Sequence, residues 1–296
     1  MPHNELFRAE KKKTNLYDVC IMFLFFNNFI LFKDELILKG DFMKKILSYD
    51  LPTRFFHWIF AALFIIIYLI AETIDDDSVT YSYHMLLGLV MALVVILRIV
   101  WGFVGSKYAK FSSFELHPQK MIEYITDIVS GKTKLFAGHN PASSWAAVLM
   151  MIFALGLAFT GNQMSQGNSK DFYEDIHEFL ANAFLFTVIA HVLGIIFHSI
   201  RHKDLIALSM INGEKSASSD QEPIKSQHPI VAAIFVILVL AFGFKVFSSF
   251  DPATRKLNLM GYTLTLGESE DENESSENSD KGEKNDDGED DEDDND

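Results

Sequence analysis

Hydrophobic residues along this chain gather into five blocks, 54–71, 83–104, 142–161, 176–200 and 229–247, with the polar residues collected between them. A helix rises 1.5 Å per residue, so about 20 apolar residues cover the roughly 30 Å of hydrocarbon in a bilayer. Each block is of that order. The pattern predicts an all-α, polytopic membrane protein whose fifth block forms a C-terminal transmembrane helix. The fifth block is apolar all round and has no internal histidine, so it reads as an anchor facing lipid or a partner.

The segments between the blocks have patterns of their own. In 118–131, PQKMIEYITDIVSG, the residues Met121, Ile122, Ile125, Ile128 and Val129 share one helical face, with Pro at the start and Gly past the end. This is an amphipathic helix, either lying at the membrane surface or packed as an ordinary loop helix. The stretch 212–227 is rich in Lys, Ser, Asp and Glu and reads as an exposed linker. Residues 1–42 differ from the rest: AEKKK precedes CIMFLFFNNFILF, no small-residue cleavage site follows, and MKKILSYDLPTRFFHW then runs straight into the first block. Met43 is therefore read as the initiator, which makes 1–42 an extension that is either non-native or flexible. The alternative is a genuine leader or a sixth membrane-associated segment. The expected division is 1–42, a bundle at 43–204, a linker at 205–228, the fifth helix at 229–248 and an acidic, disordered tail at 249–296.

The net charge of −15 changes this picture only in one place. From Glu268 to Asp296 there are 17 acidic residues against Lys281 and Lys284, which accounts for all of it. Such a segment has nothing to bury and is expected to be disordered. Basic residues elsewhere alternate across the blocks: Lys44, Lys45 and Arg54 before the first, none in the turn bearing Glu72, Asp75, Asp76 and Asp77, then five Lys between 105 and 141, only Lys170 in the next turn, and Arg201 and Lys203 after the fourth. By the positive-inside rule the N-terminus is cytoplasmic, and the tail, after an odd number of spans, is on the outside. The only cysteine is Cys20 and there is no C-x-x-C-H run, so neither an internal disulfide nor covalently attached haem is expected.

Histidines supply the candidate chemistry. Ionisable side chains are expensive at membrane depth and mark function. His3, His117, His139, His202 and His228 fall in polar or terminal segments and call for no special role, which leaves His57, His84, His177, His191 and His198. His177 and His191 are fourteen residues apart, within about 40° of the same helical face and roughly 21 Å apart along the axis. With the spans running in alternate directions, His84 matches His177 in depth near the outer surface and His57 matches His191 near the inner one. Two histidines per level suit a six-coordinate haem iron with no open position, whereas zinc takes four ligands. His198, seven residues after His191, is the rival inner ligand. Gly88 and Gly194, about one turn after His84 and His191, would let a porphyrin approach the backbone. Arg98 lies at the inner level and is read as a haem propionate partner. Arg54, one turn before His57, is read either that way or as reaching lipid phosphate.

Several motifs then resemble a known family. YDLPTRFFHW at the first block, HMLLG and LRIVWGFVG at either end of the second, GHNPASSWAAVLMMIFALGLAFTG over the third, and the His-x13-His of the fourth are together similar to bacterial cytochrome b561 and the b-type cytochrome subunits of nickel–iron hydrogenases. The resemblance covers about 48–202. It implies a four-helix bundle holding two bis-His-ligated haem b groups on His57, His84, His177 and His191, in a bacterial inner membrane. The expected function is electron relay between a quinone pool and a redox partner such as a hydrogenase, a dehydrogenase or a cytochrome c, a partner the resemblance does not identify, with no bond chemistry by the chain itself. The alternative is a stand-alone quinol-linked enzyme acting on a small oxidant such as superoxide or ferric ion, the short outer turns leaving a haem accessible. No nucleic-acid partner is expected. The fifth span and the acidic tail depart from the simplest family pattern.

Overall fold

The starts of two of the long helices are written locally. Asp50 precedes the first, and its Oδ1 accepts the Thr53 N–H at 2.9 Å, while Pro52 takes a first-turn position where a missing N–H costs nothing. Asn140 and Pro141 repeat the device, Asn140 Oδ1 accepting the Ser143 N–H at 2.7 Å. In the computed structural model, which describes residues 45–76, 78–130, 136–202, 206–217, 221–259 and 261–266, the elements run β1 (Lys45–Leu47), α1 (Leu51–Thr73), α2 (Ser82–Val104), α3 (Pro118–Val129), α4 (Pro141–Ser165), α5 (Lys170–His202), α6 (Ser209–Asn212), β2 (Glu214–Ser216), α7 (Pro229–Ser248), β3 (Phe250–Asp251), β4 (Lys256–Leu259) and β5 (Tyr262–Thr265). Helices α1, α2, α4, α5 and α7 are long and apolar enough to cross a membrane, in agreement with the five blocks. The fold is the expected helical bundle.

Two antiparallel pairs build that bundle. α1 packs on α2 and α4 on α5, with α2 also against α4. Gly156 lets α4 and α5 come close, because a Cβ there would stand 2.9 Å from the Leu180 side chain. α5 scarcely approaches the backbones of α1 and α2. The space between is bridged by side chains, chiefly Phe184, which is 2% exposed and packs with Phe60, Phe64 and Phe153.

Three expectations change in the structure. The fifth helix is more than an anchor: one face of α7, including Ala232, Phe235 and Val239, is buried against α1 and α2, while Ile230, Ile237 and Phe244 stay exposed. Apolar residues on every side hid which side was packed. The linker at 205–228 is not uniformly exposed either. β2 pairs with β1, Ile46 opposite Lys215, and Lys215, Ser216, Ala217 and Ile224 are buried. Gly213 makes the turn into β2 at φ +81°, and its carbonyl accepts the N–H groups of Ser48 and Tyr49. Finally, the disorder expected from 249 does not hold for 250–266, where β3, β4 and β5 form an antiparallel sheet. Leu257 and Leu266 from it are buried with Leu86 and Val246, and Ser82 Oγ donates to the Leu266 carbonyl at 2.7 Å. The charge run begins just beyond this small core and masked it in composition. Residues 1–42, with the Met43 start, and the acidic run from 268 lie outside the described residues.

α3 forms as its periodicity predicts. Ile122 and Ile125 are exposed, and its packing is against α4.

Candidate cofactor site

Histidines from α1, α2 and α5 meet at two levels of the bundle. At one, the rings of His84 and His177 face each other with centroids 6.2 Å apart and planes inclined at 56°. Each ring is held by its Nδ1. That of His84 is 3.1 Å from the Ile67 carbonyl oxygen on α1, and that of His177 is 2.8 Å from Thr160 Oγ1 on α4. Tyr81 stacks on His84 at 5.4 Å and 10°. A neutral imidazole with Nδ1–H donated in this way has its lone pair on Nε2, which is the atom a metal takes.

Away from that level, His57 and His191 interact electrostatically, and His191 does so with His139 as well. His57 Nδ1 is enclosed and has no hydrogen-bond partner, and Trp58 packs edge-on at 5.3 Å. His198 is half-buried two turns further along α5. Between the levels, seven residues from each α5 histidine, lies Phe184.

The glycines and arginines fall where the levels are. A Cβ at Gly88 or at Gly194 would meet nothing within 4 Å, so both positions border open space. Arg98 is 3% exposed: Nη2 donates to the Ala109 carbonyl at 3.0 Å, the rings of Phe56, Phe111 and Phe114 lie 5.4–5.9 Å from the guanidinium carbon, and Nη1 has no partner. Arg54 donates to the Ile211 carbonyl and keeps an enclosed, unpartnered Nε.

Sequence reasoning passed over three contributors. Thr160 is a polar residue inside an apolar span, and that alone was its signal. Phe184 is one phenylalanine among 27 and carried none. His139 was set aside as exposed, yet it packs between Tyr49, at 5.6 Å, and Phe114, at 4.5 Å, with Nδ1 enclosed and unpartnered. The Asn-Pro after it marks a helix start, which places His139 at the bundle's edge, and only the fold closes Tyr49 over it.

These residues fit a porphyrin better than a bare ion. Among the described residues no group of three or more His, Cys, Asp or Glu converges as a metal site would need. Opposed rings with metal–nitrogen bonds of about 2 Å, and a centroid about 1.1 Å behind each nitrogen, have centroids about 6 Å apart, which the 6.2 Å of His84 and His177 matches. Open space beside Gly88 and Gly194 and the free Nη1 of Arg98 answer to a flat ring with carboxylate arms.

A membrane-spanning helical bundle with histidines paired in its interior has the build of a b-type cytochrome, a haem protein of electron transport. Comparison with known sequences says which: the chain belongs to the prokaryotic cytochrome b561 family, matched over residues 48–213. It is similar to a probable Ni/Fe-hydrogenase B-type cytochrome subunit of Rhizobium leguminosarum bv. viciae, 26% identical over 56% of this chain and 87% of the relative. A protein of the same description from Bradyrhizobium diazoefficiens is 24% identical over 56% of this chain and 84% of its own length. No solved structure matches the chain.

Proposed function

We propose that this cytochrome binds two haem b groups, one between His84 and His177 and one between His57 and His191, and relays electrons between a quinone pool and a hydrogenase-type partner. The observation that carries the reading is the His84–His177 pair, two rings at a metal-bridging distance with both Nδ1 atoms already engaged. The electrostatic interaction of His57 with His191 supports the second site. Paired imidazoles leave no open position on an iron, which suits electron transfer and not substrate binding. The haem supplies the redox chemistry when bound.

The chain's own residues orient and insulate. Ile67 and Thr160 fix the ring orientations at one level, and Arg98, with a buried charge that needs an anion, would hold a propionate at the other. Arg54 has a backbone carbonyl partner, and its remaining Nε is open to a propionate. The hydrogenase partner rests on the names of the two relatives. The basic flanks support an N-terminus and a His57 level on the cytoplasmic side of a bacterial inner membrane, with the acidic tail outside. A stand-alone enzyme acting on a small oxidant finds less support, because paired imidazoles would leave no open iron position for the oxidant.

The test is optical. Purified full-length chain should show a low-spin b-type reduced-minus-oxidised spectrum with two haems per chain, falling to one in His84→Ala and in His57→Ala. No haem, or two haems retained in both variants, would reject the assignment.

A further inference from the structure

Resting on that two-haem reading, we propose that Thr160 is a positioning residue that makes the haem of the His84–His177 level the lower-potential one of the pair. The hydrogen bonds around Thr160 have a consistent arrangement when His177 offers Nε2 to a metal, with the Leu157 carbonyl a second acceptor beside the His177 ring. The imidazole proton is then on Nδ1, so His177 is the donor in the 2.8 Å contact and Thr160 Oγ1 the acceptor. The single hydroxyl proton of Thr160 goes to the Gly156 carbonyl at 3.0 Å, with the Leu157 carbonyl at 3.2 Å. At 3% exposed, Thr160 has no water to compete for either bond.

Donation from Nδ1 pushes electron density onto Nε2 and raises the ligand's basicity. A more basic ligand stabilises ferric over ferrous iron, which lowers the reduction potential. His84, the other ring at this level, would donate in the same way to the Ile67 carbonyl at 3.1 Å when its Nε2 is offered to a metal. The second level is arranged in the opposite sense. His57 Nδ1 is buried and has no acceptor. The guanidinium of Arg98 lies 5.6 Å from the ring of Phe56, the residue before His57, and a nearby cation favours the reduced, less positive iron. Ligand basicity and local charge therefore separate the two potentials in one direction, and electrons run downhill from the His177 level to the His57 level.

The experiment is redox potentiometry of the purified full-length chain, following the haem absorbance. In the unaltered chain two components are expected, and the one missing in His177→Ala is the lower. In Thr160→Val, which keeps the shape and removes the acceptor, that component alone should move to higher potential. Thr160→Ser should return it close to its original position. Two haems present with neither component moved, or a shift confined to the other component, would overturn the proposal while leaving the ligand assignment intact. Should Thr160→Val fail to assemble, the unaltered chain still decides: the proposal falls if the component lost in His177→Ala is the higher one. A chain without haem would instead overturn the reading beneath it.

Discussion

Phe184 of α5 and Phe64 of α1 hold their rings 4.7 Å apart at an inclination of 47°, midway between the two histidine levels. This contact spans a space where the helix backbones stand apart, and Phe60 completes the wedge at 5.8 Å. It joins α5 to α1 and separates the levels.

Phe184→Ala is expected to cost about 3–5 kcal/mol, as removal of a buried aromatic does in a packed core. Phe184→Leu should cost about half as much. Thermal unfolding of the purified chain in detergent measures both, and equal midpoints for the unaltered chain and the Ala variant would show that the wedge bears no load.

Asp50 joins two helices through one carboxylate, Oδ1 capping α1 and Oδ2 accepting Trp101 Nε1–H of α2 at 3.1 Å. Asp50→Ala removes both bonds and is expected to lower stability by about 2 kcal/mol. Asp50→Asn keeps one oxygen and should lose less. The order of the three unfolding midpoints is the readout.

His139 makes acid stability depend on one ring. Burial, with the Lys215 and Arg98 cations nearby, pushes its pKa down to about 3, against about 6.5 in an unfolded chain. Below pH 6.5 the unfolded chain takes up a proton that the folded one refuses, so stability is complete above 6.5 and declines as the pH falls toward 3. His139→Gln should flatten that decline, seen as a smaller drop in the thermal midpoint between pH 7 and pH 5. An unchanged slope would contradict the assignment.

Truncation separates the small sheet from the acidic run behind it. Ending the chain at Ser248 removes Leu257 and Leu266 from their contacts with Leu86 and Val246, at about 1.5–3 kcal/mol for each buried leucine. A clear fall in the unfolding midpoint is expected. Ending it at Leu266 should leave the midpoint in place but slow electron exchange with a basic partner, most at low salt. Equal midpoints for the two truncations would mean that the sheet contributes nothing.

How much was legible varied with the reach of the signal. The five spans and the amphipathic α3 could be read because helix periodicity and apolar length are properties of contiguous residues. Depth matching of His84 with His177 needed only the rise per residue and the alternation of spans. The burial of His139 and Lys215 was not legible, since both sit in polar stretches and are covered by β1 and Tyr49 from a distant part of the chain. The sheet at 250–266 was hidden by its position next to a charge run.

Composition and spacing by themselves determined that the chain crosses a membrane and that its histidines stand at two depths, and the resemblance of its motifs pointed to a cytochrome family. Only tertiary structure decided that Thr160 meets His177, that Phe184 fills the space between the levels, and that Arg98 lies among three phenylalanines with one nitrogen free. The reason is rotational. A sequence sets how far along its axis a residue lies, but which neighbour it faces depends on how each helix is turned against the others, and many weak contacts across the whole core settle that turn.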